Sequence, residues 1–119
     1  MPTRLVTFDP LPPAEPSQPA ADRLLAGDPR QQVWNVYADT SGQFFAGRWA
    51  SSPGRWRIRY GEHEFCHLLR GRVRIESVDG EQWHFGPGES FVVPAGFEGT
   101  WEVLEDTVKL YAIFEAATR

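Results

Sequence analysis

Residues 64–71 read EFCHLLRG and residues 88–96 read GESFVVPAG, and these two stretches decide the fold of the chain. In the first stretch, six residues separate Glu64 from Gly71. The second stretch has the pattern Gly-x5-Pro-x-Gly, in which the proline is Pro94. Each is a short run of apolar residues that ends in turn-forming residues, which is typical of a β-strand followed by a tight turn.

Further short strands are predicted on both sides, because aromatic and β-branched runs alternate with Gly, Pro and Asp. In residues 55–60, arginines alternate with Trp56, Ile58 and Tyr60, which places the apolar side chains on one face. Asp79-Gly80 is a hairpin signal. The predicted strands cover residues 33–37, 43–49, 55–60, 64–70, 73–78, 82–85, 90–93, 99–104 and 107–114. Many short strands with frequent turns predict an all-β sandwich or barrel.

The N-terminal part of the chain has a different amino-acid composition. Six of the ten prolines lie at or before Pro19, so residues 10–19 can form neither a helix nor a central strand. Residues 20–26 can form two turns of helix that Gly27 and Pro29 end. We therefore predict a Pro-rich arm with a short helix over residues 1–30.

Length and composition exclude several classes of protein. The chain has 119 residues, a formal net charge of −4 and one cysteine. The length is that of one domain, and one cysteine excludes a disulfide framework and a multi-thiolate zinc site. No apolar run approaches the roughly 20 residues of a membrane helix, and residues 1–13 lack the apolar stretch of a signal peptide. We expect a cytoplasmic protein without a membrane partner.

The charges are unevenly distributed along the chain. Residues 48–74 contain seven arginines and two glutamates, whereas residues 75–119 contain nine acidic and two basic residues. We interpret these as solvated faces of adjacent strands that pair their charges across the sheet. No nucleic acid partner is expected, because the chain is acidic overall and carries no binding motif for one.

The positions of Glu, Gly and Pro resemble the two motifs of the cupin superfamily. Glu64 and Gly71 match the end of the first motif, G-x5-HxH-x3,4-E-x6-G. Gly88, Pro94 and Gly96 match the second motif, G-x5-P-x-G-x2-H-x3-N. The resemblance implies an all-β fold, a single-domain cupin jelly-roll barrel.

One subfamily is especially similar. Residues 64–71 and residues 99–105, GTWEVLE, resemble small bacterial cupins related to ureidoglycine aminohydrolase, most of which have no assigned function. The resemblance covers about residues 45–114. We assign residues 31–119 to the barrel domain.

The departures from the motifs concern the metal ligands. When strand alternation is followed, the histidine positions of the first motif fall on Ile58 and Tyr60, and that of the second falls on Gly99. Only Glu64 remains of the usual three histidines and one glutamate. One carboxylate does not hold a transition metal, so we expect no cofactor, and the metal-dependent aminohydrolase activity does not carry over.

A rebuilt site for a divalent transition metal is the alternative. His63 and His67 are four residues apart, roughly 13 Å along a regular strand, which is too far for one ion. Glu64 and His67 point to opposite faces. The facing of His84 stays open at this point. A rebuilt site therefore needs a bulge near Gly61.

A barrel places Tyr60, Glu64, Cys66 and Trp101 inward, and Gly99 in place of an imidazole would leave space beside them. We therefore predict a ligand pocket at the barrel mouth lined by these four side chains, with His84 as a further candidate. Glu64 is either a ligand contact or a structural carboxylate that is hydrogen-bonded to Tyr60 or to the backbone. Cys66 is interpreted as a small core residue, since no base is placed to activate it.

Two classes of function remain. The first is a cupin that binds a small polar molecule in its barrel without a metal. The second is an enzyme, either metal-dependent and aminohydrolase- or dioxygenase-like through a rebuilt site, or a metal-free isomerase that uses Tyr60, Glu64 and His84. Alternation also places Phe65 and Leu69 outside the barrel, and the N-terminal arm is too Pro-rich to fold alone. Both features predict a homodimer, built either on sheet faces or by exchange of N-terminal strands.

Overall fold

The computed structural model describes residues 3–117, which form nine strands. They are β1 (Glu15–Ser17), β2 (Leu24–Gly27), β3 (Gln31–Ala38), β4 (Phe44–Ser51), β5 (Gly54–Arg59), β6 (His63–Ser77), β7 (Gln82–Phe85), β8 (Ser90–Val93) and β9 (Glu98–Phe114). Positions 1, 2, 118 and 119, the outer ends of the predicted arm and barrel segments, lie outside the described residues. Within the described part, no helix is long and apolar enough to cross a membrane.

All nine strands belong to one antiparallel sheet that curls around a core. The long strands β6 and β9 pair with each other from His63 to Ser77. On the other edge of β9, β5 pairs with its first part and β4 with its second part. On the other edge of β6 lie β8 and β7, while β3 and β1 extend the sheet beyond β4, and β2 extends it beyond β5. The predicted all-β jelly-roll class is confirmed.

Each long strand joins two segments that were predicted as separate strands. The register between β6 and β9 shifts between Leu68 and Val73 without ending the pairing. Gly71 lies within this irregular region with φ +97°, and a Cβ added there would collide with Thr107. The glycine therefore bends β6 and lets it pass close to β9, where the sequence suggested a break.

The facing of residues 55–60 and 64–70 is confirmed. Phe65 and Leu69 are 45% and 43% exposed on the outside of the sheet. The buried core consists of Trp56, Cys66, Leu68, Val73, Ile75, Val93, Trp101 and Val103. The strand pattern therefore identified the interior correctly on β5 and β6.

The predicted pairing of basic and acidic strands is also confirmed. Arginines of β5 and β6 meet glutamates of β9 across the sheet. The nitrogen–oxygen distances are 3.2 Å for Arg59–Glu98, 3.7 Å for Arg72–Glu105 and 2.5 Å for Arg74–Glu102.

The predicted helix over residues 20–26 is wrong. The carbonyl of Ala20 accepts hydrogen bonds from the N–H groups of Arg23 and Leu24 in a single turn, and the chain then forms β2. β2 pairs with β5, and such backbone pairing outweighs the weak helix propensity of a seven-residue segment. The Pro-rich part contributes β1, which pairs with β3 at the sheet edge, where a proline is tolerated.

Candidate functional site

A cavity of about 310 Å³ lies inside the curled sheet and is lined by residues of β3, β4, β5, β6 and β9. Its polar lining consists of Gln31, Asn35, Tyr60, Glu64, Lys109 and Tyr111, and its aromatic lining includes Phe45, Trp49, Trp56 and Trp101. A mostly apolar cavity of this size with a few polar groups is the usual form of a small-molecule site.

A buried ion pair forms part of the cavity wall. Lys109 on β9 donates from Nζ to Oε2 of Glu64 on β6 over 3.0 Å. The two side chains are only 6% and 8% exposed. The pair is therefore almost completely removed from water, where the loss of either partner would leave an uncompensated charge.

Tyr60 completes the environment of the carboxylate. Its hydroxyl donates to Oε1 of Glu64 over 2.6 Å. Its backbone is fixed by the turn before β9, because its N–H donates to the carbonyl of Phe97 and its carbonyl accepts from the N–H of Gly96. Both oxygens of Glu64 thus accept a hydrogen bond, and the Tyr60–Glu64 contact predicted from the sequence is present.

The ammonium of Lys109 is held between two indole rings. Nζ lies 4.6 Å from the ring centroid of Trp49 and 4.4 Å from that of Trp101. Indole faces attract cations, and the attraction grows when the cation is removed from water. Nζ also lies 3.6 Å from Sγ of Cys66. Lys109 is therefore surrounded by groups that take the place of its hydration shell.

The surroundings shift the proton affinities of three of these side chains. Burial, together with the charge of Glu64, raises the pKa of Tyr60 well above its usual value. Burial raises the pKa of Cys66 to about 12. Burial lowers the pKa of Lys109, but the neighbouring Cys66 and Glu64 outweigh this effect and leave its pKa raised. At neutral pH the phenol and the thiol are therefore uncharged, and the amine is an ammonium.

The structure brings together most of the predicted site residues. Tyr60, Glu64 and Trp101 line the cavity, and Cys66 lies beneath Lys109 rather than on the cavity surface. His84 does not join them. It is exposed on β7 and pairs with Arg74, on the face opposite to Trp83 and Phe85.

Several cavity residues were missed in the sequence. Lys109 is the clearest, and two signals could have found it: it is the only lysine of the chain, and it lies in a strand pattern. Alternation from Thr107 to Tyr111 puts Lys109 on the inner face. Tyr111 also reaches the cavity, where its hydroxyl donates to Oδ1 of Asn35 over 2.7 Å.

The residues of the site do not fit a transition metal. Glu64 is engaged by Tyr60 and Lys109, and no group of three or more His, Cys, Asp or Glu side chains comes together within residues 3–117. Nδ1 of His63 accepts from the N–H of Ala95, and Nδ1 of His67 lies 2.7 Å from the Ser90 hydroxyl. Neither histidine contacts the carboxylate.

Gly99 does not open the cavity as predicted. A Cβ at Gly99 would collide with the backbone carbonyl of Glu76 on β6. The glycine therefore permits close approach of β9 to β6.

Further concavities lie on the described part of the chain, and the first of them shares Gln31 with this cavity. A shallow external groove of about 700 Å³ has a largely polar lining that includes Arg30, Arg70 and Asp106. An apolar pocket of about 340 Å³ is lined mainly by Trp83, Phe85, Phe91 and other side chains of β7 and β8. Neither contains a buried charge.

Comparison with known proteins places these features in context. Residues 38–111 match the family model of the EutQ-like cupin domain. No curated protein matches the chain significantly.

Three solved structures are similar. The first is a DUF861-family protein of unknown function from Pseudomonas syringae pv. tomato, with 25% identity and a TM-score of 0.79 over 88% of this chain and 46% of that one. The second is EutQ of Clostridium difficile, with 16% identity and a TM-score of 0.65 over 74% of this chain and 64% of that one. The third is a DUF861-family protein from Thermotoga maritima, with 28% identity and a TM-score of 0.52 over 54% of this chain and 73% of that one. The chain thus spans about half the length of the Pseudomonas protein and less than two thirds of the EutQ protein.

Proposed function

The chain belongs to the EutQ-like cupin family, and from this we propose that it binds a small molecule in the cavity of its barrel without a metal. The observation that carries the proposal is the buried Glu64–Lys109 pair on the cavity wall. It places a carboxylate, an ammonium and the Tyr60 hydroxyl beside a cavity with mostly apolar walls, where a hydrogen bond to a ligand is stronger than in water.

Stability alone is a weak reason for such a pair. Removing two charges from water is costly, and well-packed apolar residues of similar volume are often as stabilising or more so. A ligand that contacts the pair supplies a second reason for it. The aromatic rings around the pair supply the apolar contact area that most small-molecule sites use.

Within the family, we further propose a place near the ureidoglycine aminohydrolase-like cupins. The support is the likeness of residues 64–71 and 99–105 to that subfamily. The aminohydrolase reaction is not part of this proposal, because Ile58, Tyr60 and Gly99 stand where the metal-binding histidines of cupins stand.

The experiment compares one substitution at two places. Val33 lines the cavity, whereas Val78 lies in the β6–β7 turn and is 72% exposed. A library of metabolite-sized compounds is screened by thermal shift against the wild type, Val33→Phe and Val78→Phe. We expect ligands that stabilise the wild type and Val78→Phe but not Val33→Phe, because the larger ring at position 33 fills the cavity.

Tryptophan fluorescence supplies a second measurement, since Trp49, Trp56 and Trp101 all line the cavity. A cavity ligand should change the emission of Val78→Phe as it changes that of the wild type. Ligands that bind Val33→Phe equally well would locate binding elsewhere. A screen without any compound that binds in the cavity would refute the proposed function.

A catalytic role is the second candidate, and the Tyr60–Glu64–Lys109 hydrogen-bond chain favours it. A phenol beside a carboxylate could exchange a proton with a bound substrate, as in a metal-free isomerase. His84 lies outside this chain of groups. Incubation of each cavity ligand with the protein, followed by NMR, tests for conversion. Conversion that Tyr60→Phe abolishes while binding persists would show catalysis.

A further inference from the structure

The inner face of the sheet continues beyond the cavity as a row of buried polar side chains. This polar row consists of Gln31, Ser51 and Thr107, which pair across β3, β4 and β9 and are 8%, 4% and 1% exposed. The preceding row on the same face lines the cavity and consists of Val33, Trp49 and Lys109. Because residues two positions apart on a strand are separated by roughly 7 Å, the polar row borders one end of the cavity.

The external groove adjoins the cavity at this row. All three residues of the polar row line the groove, and Gln31 lines the cavity as well. The N-terminal arm passes along both spaces, since Gln18 lines the groove and Pro19 lines the cavity. The two spaces therefore meet at the Gln31 side chain.

The hydroxyl groups of the polar row are hydrogen-bonded within the protein. Ser51 donates to the carbonyl of Ser52 over 2.8 Å, and Thr107 donates to the carbonyl of Glu105 over 2.8 Å. Each hydroxyl oxygen keeps lone pairs that can accept a further hydrogen bond. The row is therefore stable without a ligand, and it offers polar atoms to any group that extends from the cavity toward the groove.

An irregularity in β6 determines the direction of Arg70. Leu68 pairs with Lys109, so regular pairing would place Arg70 opposite Thr107 on the inner face. The register shift places it opposite Val108 instead. Irregularities of this kind redirect side chains and are common beside active sites. Arg70 is exposed as a result, and it lines the groove.

The groove is basic, although the chain as a whole is acidic. Among the described residues of its lining, Arg30 and Arg70 are basic and Asp106 is acidic. Arg30 pairs with Asp28 over 3.3 Å. Arg70 and Asp106, by contrast, form no ion pair with any residue between positions 3 and 117. A guanidinium without an ionic partner suits a carboxylate or a phosphate, because it can donate two parallel hydrogen bonds to either group.

We propose that the cavity and the groove together bind a molecule in which a short tether joins an apolar ring to an anionic group. The ring occupies the aromatic cavity, and Arg70 binds the carboxylate or phosphate in the groove. The tether passes along the polar row. The proposal rests on the proposed binding function and specifies its ligand class.

The charges of the two spaces support this division of the ligand. Glu64 and Lys109 compensate each other, so the cavity offers its aromatic walls to an uncharged ring but no free counter-charge to an anion. The groove offers that counter-charge at Arg70. Arg70 is thus a specificity-determining residue, and the like charge of Asp106 limits the affinity for an anion.

The probes are phenyl-substituted acids with tethers of increasing length, namely benzoate, phenylacetate, phenylpropionate and phenylbutyrate. Phenylpropanol is the uncharged analogue, acetate is an anion without a ring, and phenylethyl phosphate replaces the carboxylate by a phosphate. Affinity is measured by titration calorimetry at constant ionic strength. Loss of binding in Val33→Phe identifies the ligands that occupy the cavity.

The variants are Arg70→Gln and Asp106→Asn, with Arg72→Gln as the matched control. Arg72 is exposed on the same strand, and it pairs with Glu105 outside the groove. Its substitution removes the same charge from the same region of the surface, so the comparison separates a direct contact from a general effect of net charge.

We expect the wild type and Arg72→Gln to bind phenylbutyrate alike. Arg70→Gln should bind it about tenfold more weakly, the usual effect of losing a charge-assisted hydrogen bond, and Asp106→Asn should bind it about twofold more tightly. The effect of Arg70→Gln should grow with the length of the tether and be smallest for benzoate. Phenylpropanol and acetate should bind more weakly than phenylpropionate, and phenylethyl phosphate shows which anion is preferred.

If no phenyl acid binds, the anionic cavity ligands of the library take their place in the same comparison. Three results would overturn the inference while the binding function stands: cavity ligands that carry no anionic group, full affinity of anionic ligands in Arg70→Gln, or an equal loss in Arg72→Gln. A library with no cavity ligand would remove the binding function and this inference together.

Discussion

At the scale of single residues, Lys109 carries a positive charge at a place that water hardly reaches, since its side chain is 6% exposed. Glu64, Cys66 and two indole rings surround its ammonium. The arrangement is mutually dependent, because each charge compensates for the desolvation of the other. Substitution of one partner should therefore cost far more than substitution of both.

We predict that Glu64→Gln lowers the free energy of unfolding by about 3–5 kcal/mol, the usual effect of leaving one charge of a buried pair without its counterpart. The matched control is Glu98→Gln, which breaks the Arg59–Glu98 pair, whose side chains are 76% and 48% exposed. That control should cost less than about 1 kcal/mol. Urea unfolding at pH 7 measures both.

The double variant Glu64→Gln/Lys109→Met should recover most of the loss, because neither charge then remains buried. An effect of Glu64→Gln no larger than that of Glu98→Gln would show that water reaches the pair. A double variant that is less stable than both single variants would contradict this mutual dependence of the two charges.

The pH dependence of stability should be steep in alkali. Burial raises the pKa of Cys66 to about 12 from the ordinary value of 9.0. Between pH 9.0 and about pH 12, the unfolded chain loses the thiol proton that the folded chain keeps. The free energy of unfolding therefore falls by about 1.4 kcal/mol per pH unit. The raised pKa values of Tyr60 and Lys109 act in the same direction above about pH 10.

Urea unfolding of the wild type and Cys66→Ala between pH 8 and pH 11 checks this prediction. At pH 8 the variant should be less stable than the wild type because its side chain at position 66 is smaller, and above pH 9 its stability should fall less steeply. Parallel curves for the two proteins would contradict a raised pKa of the thiol.

The expectation of a protein without a bound transition metal is tested by elemental analysis after purification without chelator. We expect far less than one equivalent of Mn, Fe, Ni or Zn per chain, since Glu64 is the only conventional ligand left in the cupin motifs. A full equivalent that disappears in His63→Ala or His67→Ala would establish a rebuilt site instead.

Residue-level prediction succeeded where strand alternation alone decides the outcome. The inward facing of Tyr60 and Glu64 follows from their spacing, and the two side chains do meet. Lys109 was missed because alternation shows which face of the sheet a side chain occupies, but not which distant residue a long side chain contacts. Its long side chain contacts Glu64, whose backbone pairs with Ile113, four residues further along β9. Such a diagonal contact depends on the curvature of the sheet.

At the scale of elements, the sequence predicted the bounds of β7 and β8 correctly, because turn residues flank both strands. The sequence-based prediction divided β6 and β9 at their centres. Gly71 has the local pattern of a turn, and β6 stays continuous there because it pairs with the long strand β9. The sequence also predicted a helix in place of β2, because an edge strand takes its stability from β5 and not from its own residues.

Gly71→Ala should test the bend of β6. The substitution introduces a side chain at φ +97° and a collision with Thr107, so we expect a loss of at least about 3 kcal/mol in urea unfolding. Gly88→Ala is the control, since Gly88 has φ +83° but open space around it, and should cost about 1–2 kcal/mol. Equal losses would mean that β6 and β9 separate easily at this point.

At the scale of the whole molecule, the outer face of the sheet remains apolar. Phe65 lies opposite Val92 on β8 and Ala112 on β9, and Phe44 lies opposite Phe114 in the same sheet. Phe44, Phe65 and Phe114 are 40–45% exposed. Continuous apolar faces of this kind are commonly covered by a second subunit.

We predict a homodimer that uses this face, with twice the chain mass in light scattering at micromolar concentration. Phe65→Glu should yield monomers with little change in the unfolding of the chain itself. Val78→Glu, at an apolar residue that is 72% exposed in the β6–β7 turn, should remain dimeric. A wild-type protein with the mass of a single chain would contradict the predicted homodimer.

The burial of Lys109 also has a chemical consequence. Because it is the only lysine of the chain, the folded protein presents no lysine side chain to acylating reagents or to enzymes that modify lysine. Acetylation at position 109 would then occur only in molecules that have opened. The rate of this acetylation under native conditions, measured by mass spectrometry, would therefore report how often the fold opens around Lys109.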